Sequence, residues 1–319
     1  MRKLLGLFSV CALVGVAAGV NGAGATPPSG QFSSTEYGRA QQVANGKVVG
    51  TSGYDVESST YTIAPGGDTG WRMGPGTTAL AVTKGVLKIE QAEGCASSDL
   101  AAGNALALPA GRFRLHNAGQ EPVELLANFT GLAHGDGAPL VDGSTVAAPD
   151  CPGVTVAAPD GITVSKSFRG DPTPYFAQVA GHGEHAGHGG GSGDGGYASK
   201  ELAVEAGKDA FMATFTLQPG FSTGWFTHTN HVAIITKGAW AFYGNRDGKC
   251  EKVEEYRAGE AWIHDVHRHL GAVQGNEVAE ITLFGFNLKH GEPLPVFDSN
   301  PDHLDFAHGP PSECPTQLR

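Results

Sequence analysis

Residues 215–238, FTLQPGFSTGWFTHTNHVAIITKG, are a second, altered copy of residues 61–85, YTIAPGGDTGWRMGPGTTALAVTKG. Pro65-Gly66, Thr69-Gly70-Trp71 and Thr83-Lys84-Gly85 recur as Pro219-Gly220, Thr223-Gly224-Trp225 and Thr236-Lys237-Gly238. The likeness continues downstream without a gap, 103–126 lying over 259–282, and then AHGDGAPLVD over KHGEPLPVFD. Because it spans turns and apolar runs together, it marks duplication of a whole folding unit rather than chance recurrence of one motif. A fold that can be built twice from one such unit is therefore required.

Short apolar runs (KVV, YTI, ALAVT, VLKI, ALAL, VELLANF) separated by Gly, Pro, Asn and Asp have the length and spacing of strands joined by tight turns. Glycine, at 48 of 319 residues, is about twice its usual share. Both features predict an all-β chain of sandwich or small-barrel units. The first unit is expected at 47–142 and the second at 200–298, joined by a connection at 143–199 and followed by a tail at 299–319. Ser33 and Glu36, spaced as a capping box before Asn45-Gly46, predict one short helix ahead of the first unit.

Met1-Arg2-Lys3, a short apolar run and Ala23-Gly24-Ala25 read as a signal peptide at 1–25, hence a secreted or periplasmic protein with no membrane segment after cleavage. A net charge of −11 with no basic cluster gives no footprint for nucleic acid. GHGEHAGHGGGSGDGG at 181–196 is a flexible linker by composition, in which His182, His185 and His188 could chelate a soft or borderline metal weakly and unspecifically, with a plain solvated linker as the alternative. Asn128-Phe129-Thr130 is a glycosylation sequon.

With Cys11 inside the signal, four cysteines remain and allow three pairings. Their repeated placement favours Cys95–Cys151 and Cys250–Cys314, one staple per unit; another partner for Cys151, or a free thiol there, stays open.

A strand ending Pro-Gly, then Gly-Trp, a turn, a strand ending in Gly, and a second motif of the form G-x5-P-x-G (Gly103 to Pro109-Ala110-Gly111) resembles the two-motif pattern of the cupins, across both repeats and about two thirds of the chain. The resemblance implies two tandem jelly-roll β-barrels, a bicupin, each with its two motifs facing into the barrel. It also implies one divalent transition metal (Fe, Cu, Zn, Ni or Mn) held through histidines. Where the family's histidines belong, the first copy has Arg72, Gly74, Phe113 and Arg114, and Thr77 stands opposite His231 of the second copy, so no metal is expected there.

The second copy offers His228, His231, His264 and His269, with His267 a further candidate. His228 and His231, three apart, share no face of a regular strand and converge only if Thr229-Asn230 bends. Neutral imidazoles suit borderline metals and disfavour calcium and magnesium. Asp265 is a candidate base or a support for a ligand imidazole, with a plain turn carboxylate as the bland alternative. Tyr243 and Trp262, absent from the first copy, are candidate substrate walls; Trp71 and Trp225, present in both, are expected in the core. His116, His134, His290, His303 and His308 are expected at surfaces or turns.

The expected function is an exported metal-binding bicupin, with a small-molecule dioxygenase the leading reaction the resemblance implies and isomerase or lyase chemistry behind it. A non-catalytic metal- or ligand-binding protein and a structural or storage bicupin are the alternatives. The partner expected is a small-molecule ligand or substrate; a homo-oligomer is left open.

Overall fold

The computed structural model describes residues 30–142, 145–151, 158–180, 198–246, 249–266, 268–292 and 294. The expected signal peptide, the Gly/His tract, the tail, His267, His303, His308 and Cys314, and the side chains of Trp225 and Cys250, lie outside the described residues.

Twenty strands carry the described chain. Two precede the first unit, β1 (Phe32–Gln42) and β2 (Gly46–Thr51). The first unit comprises β3 (Asp55–Asp68), β4 (Arg72–Gly74), β5 (Thr78–Lys84), β6 (Val86–Gln91), β7 (Ala96–Ala101), β8 (Asn104–Leu108), β9 (Gly111–His116) and β10 (Val123–Leu132). The connection contributes β11 (Asp160–Gly170), a helix α1 (Thr173–Ala180) and β12 (Ser199–Val204). The second unit repeats the first as β13 (Lys208–Leu217), β14 (Ser222–Thr227), β15 (His231–Lys237), β16 (Ala239–Arg246), β17 (Lys249–Arg257), β18 (Ala261–His264), β19 (Arg268–Val273) and β20 (Ala279–Lys289).

In the first unit the strands pair in the order β8-β5-β10-β3 in one layer and β7-β6-β9-β4 in the other; the second unit pairs as β18-β15-β20-β13 and β17-β16-β19-β14. Numbered within a unit, both are 6-3-8-1 facing 5-4-7-2, the strand order of a jelly roll. The chain is thus all-β and built as two jelly-roll barrels. Each has its own apolar interior, one around Tyr61, Leu80, Leu87 and Phe129 and the other around Phe211, Trp240, Trp262 and Phe284.

The shared motifs have backbone reasons. Thr69 Oγ1 accepts from Leu115 N at 2.9 Å and Thr223 Oγ1 from Gly271 N at 2.8 Å, stapling β4 and β14 to their neighbours. The glycines that follow, Gly70 and Gly224, take φ of 62° and 67°, where a side chain is strained. A Cβ on Gly85 or Gly238 would lie 2.9 Å from Pro122 O or 2.5 Å from Val278 O, so the Thr-Lys-Gly turns admit nothing larger. Trp71 is core, as expected.

The capping-box helix is not formed; residues 32–42 are a strand instead. β1 pairs antiparallel with β13 of the second barrel, from Phe32↔Leu217 to Gln41↔Asp209, with a bulge between Glu36 and Gly38. A sheet edge with unmade backbone bonds outweighs the propensity of a short polar segment. β11, which precedes the second barrel in the chain, pairs in turn with β3 of the first. Each leading segment therefore closes the sheet of the other barrel. The ends of the exchanged strands touch back in parallel, Gln41 on Asn104 and Asp171 on Glu260, and β2 and β12 pair with each other between them.

The exchange is fastened by the same residues on both sides. Asp209, buried, lies 3.9 Å from Arg39 Nη1 and 2.7 Å from His290 Nδ1; Asp55, buried, lies 3.7 Å from Arg169 Nη1 and 2.6 Å from His134 Nδ1. His134 and His290 are exposed, as expected, yet each caps a buried carboxylate. Asp55, His134 and Asp171 also bring carboxylate and imidazole atoms within 4.8 Å of one another. Arg169 faces that group, and the twin group has Gln41 in place of Asp171, so what the duplication retains is the Asp–His–Arg clamp.

The expected Cys95–Cys151 disulfide is present, with Cα atoms 5.6 Å apart. The sequon Asn128 is wholly buried on β10, its Nδ2 donating to Glu57 O and Ser58 Oγ, so the folded chain offers no acceptor there.

Two outcomes follow from this architecture. Deleting residues up to Gln42 should expose the amides of β13 to hydrogen exchange while those of β3 stay protected; equal protection in both strands would show that the exchange does not support the second barrel. Replacing Cys95 and Cys151 by Ser opens a loop spanning 56 positions and should cost about 4 kcal/mol in the chain-entropy estimate, read as a lower midpoint in chemical denaturation.

Candidate metal centre

The second barrel's histidines come from two turns at the same end. β14 ends at Thr227 and β15 begins at His231, so 228–230 form the bend that lets His228 and His231 converge; their rings lie 4.3 Å apart. β18 ends at His264 and β19 begins at Arg268, placing His264 and His269 on the facing side. His231 and His264 are cross-strand partners, as are Phe226 and His269. One ring nitrogen each from His228, His231 and His264 lies within 4.8 Å of the others. The His269 ring sits 4.7 Å from that of His228 and 5.5 Å from that of His264.

The hydrogen bonds define which nitrogen does what. Thr229 O, which can only accept, takes Nδ1–H from both His228 and His231 at 2.9 Å. Trp262 Nε1–H donates to His231 Nε2 at 2.9 Å, so both nitrogens of His231 are engaged. His264 Nε2 lies 3.1 Å from Glu254 Oε2, which also accepts from Tyr256 OH at 2.8 Å. His228 Nε2, His264 Nδ1 and His269 Nε2 are buried within the barrel. Burial and the adjacent Glu254 carboxylate raise the Tyr256 phenol well above its ordinary range, which keeps it a donor.

Asn230 ties the two turns together: its Nδ2 donates to Ala203 O on β12 at 2.9 Å, and its Oδ1 accepts from Val266 N at 3.1 Å. The sequence marks Thr229-Asn230 as a bend but not the hydrogen bonds they make, and Glu254 carries no motif signature at all.

A cavity of about 60 Å³ is lined by His228, His231 and His269 together with apolar side chains that include Phe215, Phe226, Phe242 and Trp262; His264 is not among its lining residues. The cavity holds a few water-sized groups. Trp262 lines the cavity. Tyr243 is not among the lining residues; its hydroxyl is 3.4 Å from Gln274 Oε1. Asp265 is half exposed, pairs with Lys200 Nζ at 2.7 Å and does not line the cavity.

The first barrel fills the same place differently. Thr78, not Thr77, is the counterpart of His231: Thr78 faces Leu108 and Phe129 as His231 faces His264 and Gly285. The first copy carries one residue more between Trp71 and Thr83 than the second does between Trp225 and Thr236, and this shifts the match. Arg72, paired with Phe113, is buried and donates to Thr69 O and Leu140 O; burial lowers its guanidinium from the usual range. Arg114 is fastened to Asp68 and Glu90. No imidazole stands at any of these positions.

No family model matches the chain, and no curated protein matches it. Solved structures similar to it include oxalate decarboxylase from Bacillus subtilis, at 13% identity over 82% of this chain and 78% of that one with a TM-score of 0.29. They also include a cupin 2 conserved barrel domain protein from Leptotrichia buccalis (12%, 76% and 89%, 0.26) and the coconut allergen cocosin (13%, 84% and 86%, 0.30). Likenesses at this level decide neither family nor chemistry.

Convergent neutral imidazoles in an apolar cavity fit a borderline transition metal and not a hard, oxygen-seeking one. His231 can join such a site through Nε2 only if the indole releases it. Trp262→Phe should therefore tighten Zn²⁺ binding by roughly 2–10-fold, the worth of one hydrogen bond. An unchanged or weaker Kd in competition with a chromophoric chelator would exclude His231 Nε2 as a ligand.

Proposed function

We propose that the chain is a bicupin whose second barrel holds one divalent transition metal, and that the first barrel is its metal-free structural partner. The observation that carries this reading is the convergence of His228, His231 and His264 within 4.8 Å, with His269 beside them. The first barrel has Gly74, Thr78, Leu108 and Phe113 at the matching places. His228, His264 and His269 would hold the metal and His231 would complete the set. When bound, the metal would supply Lewis-acid or redox chemistry at a position left open to a small molecule.

The residues around it bind and exclude. Phe226, Phe242 and Trp262 shut out bulk water, and about 60 Å³ admits only a small ligand or a small part of one. Among the described residues the candidate ligands are imidazoles, and the one nearby carboxylate, Glu254, stands behind His264 rather than among them, so a dication there would keep much of its charge and favour a small anion as ligand. Small-molecule dioxygenase chemistry is the reaction proposed. A non-catalytic metal- or ligand-binding role is the second reading, favoured by one observation: Asp265, the candidate base, is engaged by Lys200 outside the cavity. Export is proposed from the N-terminal sequence, and the disulfide supports an oxidising compartment.

The test is metal content by mass spectrometry, on protein lacking residues 181–196 so that the linker histidines cannot mask the result. His228→Ala and His269→Ala should each lose the stoichiometric metal, Arg72→His should gain none, and uptake should weaken on acidification because protons compete for the same lone pairs. A full equivalent of tightly held metal in the His228→Ala/His269→Ala double variant would place the site elsewhere.

A further inference from the structure

The first barrel builds the same layers without a carboxylate at the place of Glu254. In the barrel layers, Tyr256 faces Trp240 and Glu254 faces Phe242, as Leu100 faces Leu87 and Ser98 faces Ile89 in the first barrel. His264 faces His231 as Leu108 faces Thr78, and Trp262 faces Ala233 as Leu106 faces Leu80. The same scaffold is therefore built with Ser98, Leu100, Leu106 and Leu108 where the second barrel has Glu254, Tyr256, Trp262 and His264. Taking a carboxylate into a barrel wall is unfavourable unless its partners offset the lost hydration. Its appearance together with the imidazoles, and in neither place without them, calls for a reason tied to the imidazoles.

We infer that Glu254 is a positioning residue: by accepting the Nε2–H of His264 it fixes that ring's tautomer and orientation, so that Nδ1 faces His228 and His231. The contact is 3.1 Å, and Tyr256 OH, 2.8 Å from the same oxygen, fixes the carboxylate in turn. A carboxylate behind a ligand imidazole also raises its basicity, and loss of such a support typically costs about 10–100-fold in metal affinity. Neither Glu254 nor His264 lines the cavity; Glu254 touches His264, and it is His264 that offers a ring nitrogen within 4.8 Å of those of His228 and His231, so Glu254 acts through His264. The inference rests on the metal-site reading for its purpose but not for its geometry.

The experiment uses the full chain. In metal-free protein, long-range ¹⁵N–¹H spectra of the imidazoles should show His264 protonated at Nε2. Glu254→Leu should shift the proton to Nδ1 or leave the two forms exchanging, and should weaken Zn²⁺ binding about 10–100-fold. Glu254→Gln, whose amide oxygen can still accept, should keep the tautomer and lose only several-fold in affinity. A Leu variant with the wild-type tautomer and affinity would overturn the assignment. Should the Leu variant fail to fold, wild-type affinity in Glu254→Gln would do the same. If the wild type takes up no metal, the proposed function fails, and the tautomer comparison still decides whether Glu254 sets His264.

Discussion

An open sheet edge is the constraint on which both barrels depend. β3 and β13 each end a layer with a row of backbone donors and acceptors that must be paired. The chain pairs them crosswise, β11 on β3 and β1 on β13. This one choice makes the barrels a unit. It places β2 against β12 and brings Ala203 of β12 to the Asn230 side chain, so the turn carrying His228 and His231 is anchored to the exchange. It also explains the twin Asp–His–Arg clamps, for each exchanged strand brings one arginine to a carboxylate buried in the barrel it closes.

Within that frame the two interiors solve one packing problem in different ways. In the first barrel, Arg72 reaches backbone carbonyls and Arg114 reaches two carboxylates, so the end where the motifs meet is filled by two buried guanidinium groups and by Phe113. In the second barrel the counterparts of Arg72 and Phe113 are Phe226 and His269, still cross-strand partners, and their exchange opens a cavity between an aromatic wall and an imidazole. Gly285 stands where Phe129 fills the first barrel, and the Phe211 ring occupies the space a side chain there would need.

What could be read from the residues is what repeats or departs from a repeat. The barrels, their strand runs, the Thr-Gly-Trp and Thr-Lys-Gly turns and the first disulfide were visible because duplication shows which positions the fold requires. The histidines stood out because the fold evidently stands without them. β1 was misread as a helix because its capping signature is local while its partner, β13, is far along the chain. The match of His231 to Thr77 missed by one residue because register is set by neighbouring strands, here Leu108 and Phe129. The bend at Thr229-Asn230 could be read from the spacing of His228 and His231, but the hydrogen bonds that Thr229, Asn230 and Glu254 make there could not, because such bonds leave no periodic trace.

The hydrogen bonds around the histidines bear on how an apolar barrel can keep them without a metal. Neutral imidazole is costly to bury only while its N–H lacks an acceptor. Here Thr229 O serves two rings, Glu254 serves a third, and Trp262 supplies a donor to His231. Each N–H placed on such an acceptor leaves the opposite nitrogen as the one with a lone pair, and for His228 and His264 that nitrogen is buried on the barrel's interior side. The bonds that make the cluster tolerable to the fold are therefore the same bonds that aim it. His231 is the exception, since its lone pair already holds the indole, and that makes it the member whose role depends on whether Trp262 moves.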